Sequence, residues 1–190
     1  MRTCKTLCRW LAMGLAAALL LGMCACGGKT EAGSPDFYVV FGCTIIPSKD
    51  DQATLESWLE SVVDDLNGDG QTVVQVEYIG ISNDSNSVTD SGRLTVLLSE
   101  EQYTLFLLSD EPNEDFAGIS SNFCGQEYFE DLSKYGVTPD ADQSQRVTIT
   151  GCDILRQMGL GNIDFYAQVI DRGRTADMDA AIQVIRALLA

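Results

Sequence analysis

The sequence predicts an α/β domain, a mostly parallel open sheet with flanking helices. Three observations predict it. "FYVVFGC", residues 37–43, is an unbroken aromatic and β-branched run, the pattern of a strand buried on both faces. Leu55, Trp58, Leu59, Val62, Val63 and Leu66 then recur at helical spacing and form one apolar stripe. A second strand-like run, "TVVQVEYIGI", follows, and strand, helix, strand in that order reads as a right-handed crossover between parallel strands.

Ahead of the first strand stands "MRTCKTLCRWLAMGLAAALLLGMCAC", residues 1–26. Arg2, Lys5 and Arg9 make a basic start, and Trp10 to Met23 is an apolar run too short for a comfortable membrane span. This matches a secretory leader, and its small residues before a cysteine resemble the lipobox of bacterial lipoproteins. Cys26, preceded by the small Ala25, is the expected lipidated residue and mature N-terminus. Cys24, preceded by the bulkier Met23, is the alternative register. The organisation expected is therefore a leader over 1–25, a flexible tether over 26–36 and one domain over 37–190. The small, polar "GGKTEAGSPD" supports the tether.

Within the domain Ser48 caps the first helix, with Asp51 three residues on. Glu56, Glu60 and Asp64 line the side opposite the apolar stripe. Residues 82–92 read as a polar loop. Over 93–98 a short helix, capped near Thr89 or Ser91 and with Leu94, Leu97 and Leu98 inward, is preferred to a hairpin strand, because it continues the alternation of elements. "YTLFLL", 103–108, is then a third parallel strand. "CGQEYFEDLSKYG" reads as a short helix or turn, "RVTIT" as a strand, "CDILRQMG" as a helical turn and "IDFYAQVID" as a strand. A closing helix starts at Thr175, its expected cap, and turns Met178, Ile182, Ile185 and Leu189 inward. Asp177 and Asp179 suit its positive end and Arg186 its negative end.

Composition narrows the chemistry. The chain has 190 residues, 28 acidic and 12 basic, and no histidine. A histidine base, a histidine triad and histidine metal ligands are thereby excluded. Processing at Cys26 leaves 9 basic against 28 acidic residues, a net charge of −19. Such a surface repels nucleic acid and anionic headgroups, so no nucleic-acid partner is expected and membrane contact falls to the lipid. Cys43, Cys124 and Cys152 remain after processing, an odd number with no C-x-x-C spacing that allows at most one internal disulfide, and buried thiols are the preferred reading. No nucleophile elbow or phosphate loop is present. Asp110 and Glu111, adjacent at a strand end, point apart and make a poor catalytic pair, so an enzyme is not expected.

"DLNGDG", 65–70, admits two readings. Asp65, Asn67 and Asp69, with Gly70 following and the Gln71 carbonyl available, match the first half of a calcium loop. Val73 and Val76 stand where its later oxygens belong, so a remote acid would have to complete the shell. The same residues also make a polar turn, because Asn and Gly accept left-handed backbone and Asp bonds back to nearby amides.

The order leader, tether, strand, long helix, strand, helix and "YTLFLLSDE" resembles the opening lobe of the extracellular solute-binding lipoproteins of ABC transporters. "EYFEDLSKYG" resembles that family's F-x-D-L-x-x-Y stretch. The resemblance spans residues 20–136 and implies a single such lobe, anchored by lipid on the extracytoplasmic face of the membrane. It further implies a monomer, binding a small solute or a partner protein. In open α/β sheets sites lie beyond the carboxyl ends of strands, which points to Cys43, Thr44, Ser82, Asn83, Asp110 and Glu111. A structural lipoprotein acting by protein contact, and a cell-surface hydrolase, are the alternatives.

Overall fold

The computed structural model describes residues 33–80, 87–110 and 128–190, with the backbone alone at 87–91 and 110. Strands β1 (Phe37–Cys43), β2 (Val74–Gly80), β3 (Leu105–Asp110), β4 (Val147–Thr150) and β5 (Asp164–Val169) form one open sheet in the order β2-β1-β3-β5-β4. The helices among the described residues are α1 (Lys49–Val62), α2 (Ser87–Ser99), α3 (Asp153–Gln157) and α4 (Thr175–Leu188), with a 3₁₀ turn at Leu132–Tyr135.

The architecture is α/β, but the expectation of a mostly parallel sheet does not hold. β1 pairs in parallel with β2 and β3, whereas β5 runs antiparallel to both β3 and β4. The cause is the link from β4 to β5. A parallel return needs a crossover that traverses the domain. The five residues of α3 advance only about 7.5 Å. The chain therefore re-enters the sheet at the edge it has just left, and β5 is reversed.

β1 is buried along both faces, as its composition demands. Phe37, Val39, Phe41 and Cys43 point to one face, where α1, α3 and α4 pack; Val40 points to the other, where Leu94, Leu97 and Leu98 of α2 cover it. The first crossover moves outward from β1 to β2 and the second moves back past β1 to β3. Two right-handed crossovers in opposite directions must use opposite faces.

α1 begins as expected. Ser48 Oγ accepts the Asp51 amide at 3.3 Å and donates to the Asp51 carboxylate at 2.6 Å. It buries Leu55 and Leu59 but stops at Val62, short of Leu66. Val63 is already in extended backbone. The amides of Leu66 and Asn67 donate to the Asp36 carboxylate at 3.0 and 2.8 Å instead of to helix carbonyls. At α4 two expectations are corrected. Arg174, not Thr175, is the N-cap and makes no side-chain cap bond, and Leu189 is exposed, while Met178, Ile182 and Ile185 are buried. Leu189 lies beyond the last helical turn, where the stripe no longer faces the sheet. At the opposite end of the sheet the Arg172 guanidinium donates to the carbonyls of Leu98 at 2.7 Å and Tyr103 at 3.1 Å, closing the end of α2 onto the start of β3.

Two outcomes are expected. Leu59→Ala removes a fully buried side chain between α1 and the sheet and should cost about 2–5 kcal/mol, read from denaturant midpoints. Asp177, in the first turn of α4, has its carboxyl held above the usual range by burial, with Arg174 at 2.5 Å pulling the other way. The folded state thus holds this proton more tightly than the unfolded chain. Its contribution is fully present below the ordinary carboxylate value and is lost as pH rises through the raised one. Stability measured across that window should fall more steeply with rising pH in the parent than in Asp177→Asn.

Candidate functional site

The loop after α1 is built by its own side chains. Asp65 accepts the amides of Gly68 and Gly70 at 2.7 and 2.8 Å; Asn67 Oδ1 accepts the Asp69 amide and Asp69 Oδ1 the Gln71 amide. Gly68 and Gly70 sit at φ of 74° and 89°, a backbone that side chains disfavour. The loop then reaches back across the chain. Asp69 Oδ2 accepts the Gly33 amide at 3.0 Å, and Asn67 Nδ2 donates to the Ser34 carbonyl at 3.0 Å. Asp36, buried at the foot of β1, accepts from Leu66, Asn67 and Val73 and donates its own amide to the Val73 carbonyl.

The side-chain oxygens that the calcium reading names are each engaged within the turn. The carboxylate oxygens of Asp65 and Asp69 and the Asn67 amide oxygen each take an N–H, and Gln71 points into solvent. Among the described residues no three Asp, Glu, Cys or His side chains gather as metal ligands. The arrangement is a turn that holds Gly33–Asp36, and the compact fold accordingly begins at Gly33, inside the stretch expected to be tether. Asp36 is the residue that sequence reasoning missed. Its one signal was an acid between a proline and a buried strand.

The carboxyl edge of the sheet carries the other candidates. β1 lies between β2 and β3, and the crossovers that leave the carboxyl ends of β1 and β2 pass over opposite faces, so the path of the chain reverses at β1. Gly42 pairs with Leu108, and two residues further on stand Thr44 and Asp110. Thr44 is half-buried; Cys43 is wholly buried in the core and offers no surface. Ser82, Asn83 and Glu111 lie outside the described residues, as do Cys24, Cys26 and Cys124. The loop after β1 also presents Ile45 and Ile46, 62% and 54% exposed, and Ile46 leans over Gly80 at the end of β2.

A concavity of about 630 Å³ opens further along this edge, beyond the end of β4. Trp58 of α1, Thr150, Cys152, Asp153, Arg156 and Leu189 line it. Thr150 Oγ1 donates to Asp164 at 2.7 Å, and Arg156 is paired with Asp153. Cys43 and Cys152 both stand as thiols. None of these lining residues was foreseen, although the strand-end rule that selected Thr44 and Asp110 applies equally to Thr150. Because β5 is reversed, its first residue, Asp164, joins the same edge opposite Asp110. The arrangement suits binding of a polar molecule against an indole. Among the described residues no helix is long and apolar enough to cross a membrane.

Asp36→Ala should lower stability by about 2–4 kcal/mol, since three amides lose a charged acceptor; urea unfolding reads it directly. Added calcium or a chelator should leave the unfolding midpoint in place, and a calcium-dependent rise would show that the loop rearranges to take an ion.

No family model matches the chain, and neither a curated protein nor a solved structure matches it significantly.

Proposed function

We propose that the chain is a lipid-anchored extracytoplasmic lipoprotein that binds a small solute or a partner protein without catalysis, a reduced relative in design of one solute-binding lobe. The observation that carries the binding half is the carboxyl edge. An open sheet with a switch point beside β1 and a concavity of about 630 Å³ beyond β4 is the setting in which α/β domains hold ligands. The anchoring half rests on the leader and on the small residue before Cys26.

A second reading has one observation in its favour. Ile45 and Ile46 are exposed together on the loop after β1, at the same edge. Adjacent exposed apolar side chains on an otherwise acidic surface suit a protein partner. In this reading the chain is an assembly lipoprotein and the concavity is incidental.

The full chain, expressed in a bacterial host and extracted gently, is expected to carry a diacylglycerol mass on Cys26, lost in Cys26→Ala and kept in Cys24→Ala. Native mass spectrometry of the same material should show a co-purified small molecule, weakened by Trp58→Ala. A bare protein mass whose partner pull-down is abolished by Ile45→Asp would move the function to protein contact.

A further inference from the structure

The clamp at the foot of β1 has a consequence for how the domain stands on a membrane. We propose that the Asp65–Gln71 loop fixes the domain with the amino edge of its sheet toward the bilayer and the carboxyl edge turned outward. The inference rests on the reading that Cys26 carries the lipid.

Seven peptide units separate Cys26 from Gly33. Whatever their conformation, they reach no further than about 25 Å. Gly33, Ser34 and Asp36 are all held by the loop, through the Asp69 carboxylate, the Asn67 amide and the Leu66, Asn67 and Val73 backbone. This hold lies at the amino edge, because Val73 leads into Val74, which pairs with Phe37 at the start of β1. The seven residues of β1 rise about 23 Å, and a loop layer at each end brings the domain to about 30 Å. A leash of about 25 Å cannot carry the anchor past a body about 30 Å tall, so the carboxyl edge cannot turn onto the membrane. Without the hold on Gly33 and Ser34 the leash would extend to Asp36, ten peptide units and about 35 Å. Inversion would then be within reach. The difference between the two states is made by two side chains, Asn67 and Asp69.

The orientation places Thr44, Ile45, Ile46 and the concavity beyond β4 on the outward edge, open to a solute or partner arriving from outside.

The test uses the lipidated full chain in vesicles with dansyl headgroups, in a Trp58→Phe background that removes the tryptophan of the mature chain. Gln71→Trp reports from the amino edge and Ile45→Trp from the carboxyl edge; both positions are exposed. Energy transfer to the headgroups is expected to be at least twofold greater from position 71 than from 45. Adding Asn67→Ala and Asp69→Ala, which leaves the Asp36 bonds in place, should raise transfer from position 45 toward that from 71. Equal transfer from the two positions with the clamp intact, or no change on releasing it, overturns the proposal. Amide exchange on the same samples checks the clamp itself: the Gly33 amide should be protected in the parent and exchange freely in the double substitution. If the protein carries no acyl mass and does not float with vesicles, the anchor reading fails and the orientation falls with it; equal transfer from an acylated, floating protein removes the orientation alone.

Discussion

β1 has no exposed face, and most of the architecture follows from that constraint. A strand whose side chains alternate between two dry surfaces must be covered twice, and the chain covers it with α1 on one side and α2 on the other. Because crossovers keep one hand, covering both faces forces the path to reverse direction at β1. The reversal sends the crossovers after β1 and β2 over opposite faces of the sheet. The phenyl ring of Phe41 sits 5.0 Å from that of Phe165, carrying the same core across to the reversed strand β5.

The other end of β1 is governed by a buried carboxylate. Asp36 would be costly so close to an apolar strand if left unsatisfied. Three amides answer it, and each is drawn from the segment between α1 and β2. The helix ends at Val63, which turns to extended backbone, and the amides of Leu66 and Asn67 beyond it go to Asp36 rather than to a further helical turn. One carboxylate thus gathers the chain between α1 and β2, while Asp65, Asn67 and Asp69 shape the turn around it. The hydrogen bonds that join Gly33–Asp36 to this loop span thirty or more residues of sequence, and their number gives the amino edge a defined beginning.

The carboxyl edge is of a different character. Its polar groups are paired locally, Thr150 with Asp164 and Arg156 with Asp153, and its apolar groups, Trp58, Ile45, Ile46 and Leu189, are only partly covered. An edge of that kind offers contact area and directional partners together, which is what recognition of a small polar molecule or a protein surface needs.

The sequence by itself determined the elements whose signal is local. The unbroken run at 37–43, the stripe from Leu55 to Val63 and the Ser48 cap each encode their structure within a few neighbours, and α2 follows from Leu94, Leu97 and Leu98. Only the tertiary structure decided the direction of β5, because strand direction depends on where the connecting chain emerges, and a five-residue helix looks the same in sequence whichever way the next strand runs. The role of DLNGDG was likewise illegible. Its spacing of acids suits a metal and a turn equally, and its bonds to Gly33, Ser34 and Asp36, about thirty positions away, arise only when the fold brings them alongside. The strand-end rule located Thr44 and Asp110, but it could not reveal the concavity lined by Thr150, Cys152 and Arg156, since that surface exists only once α1 and α4 have packed beside α3 against the sheet.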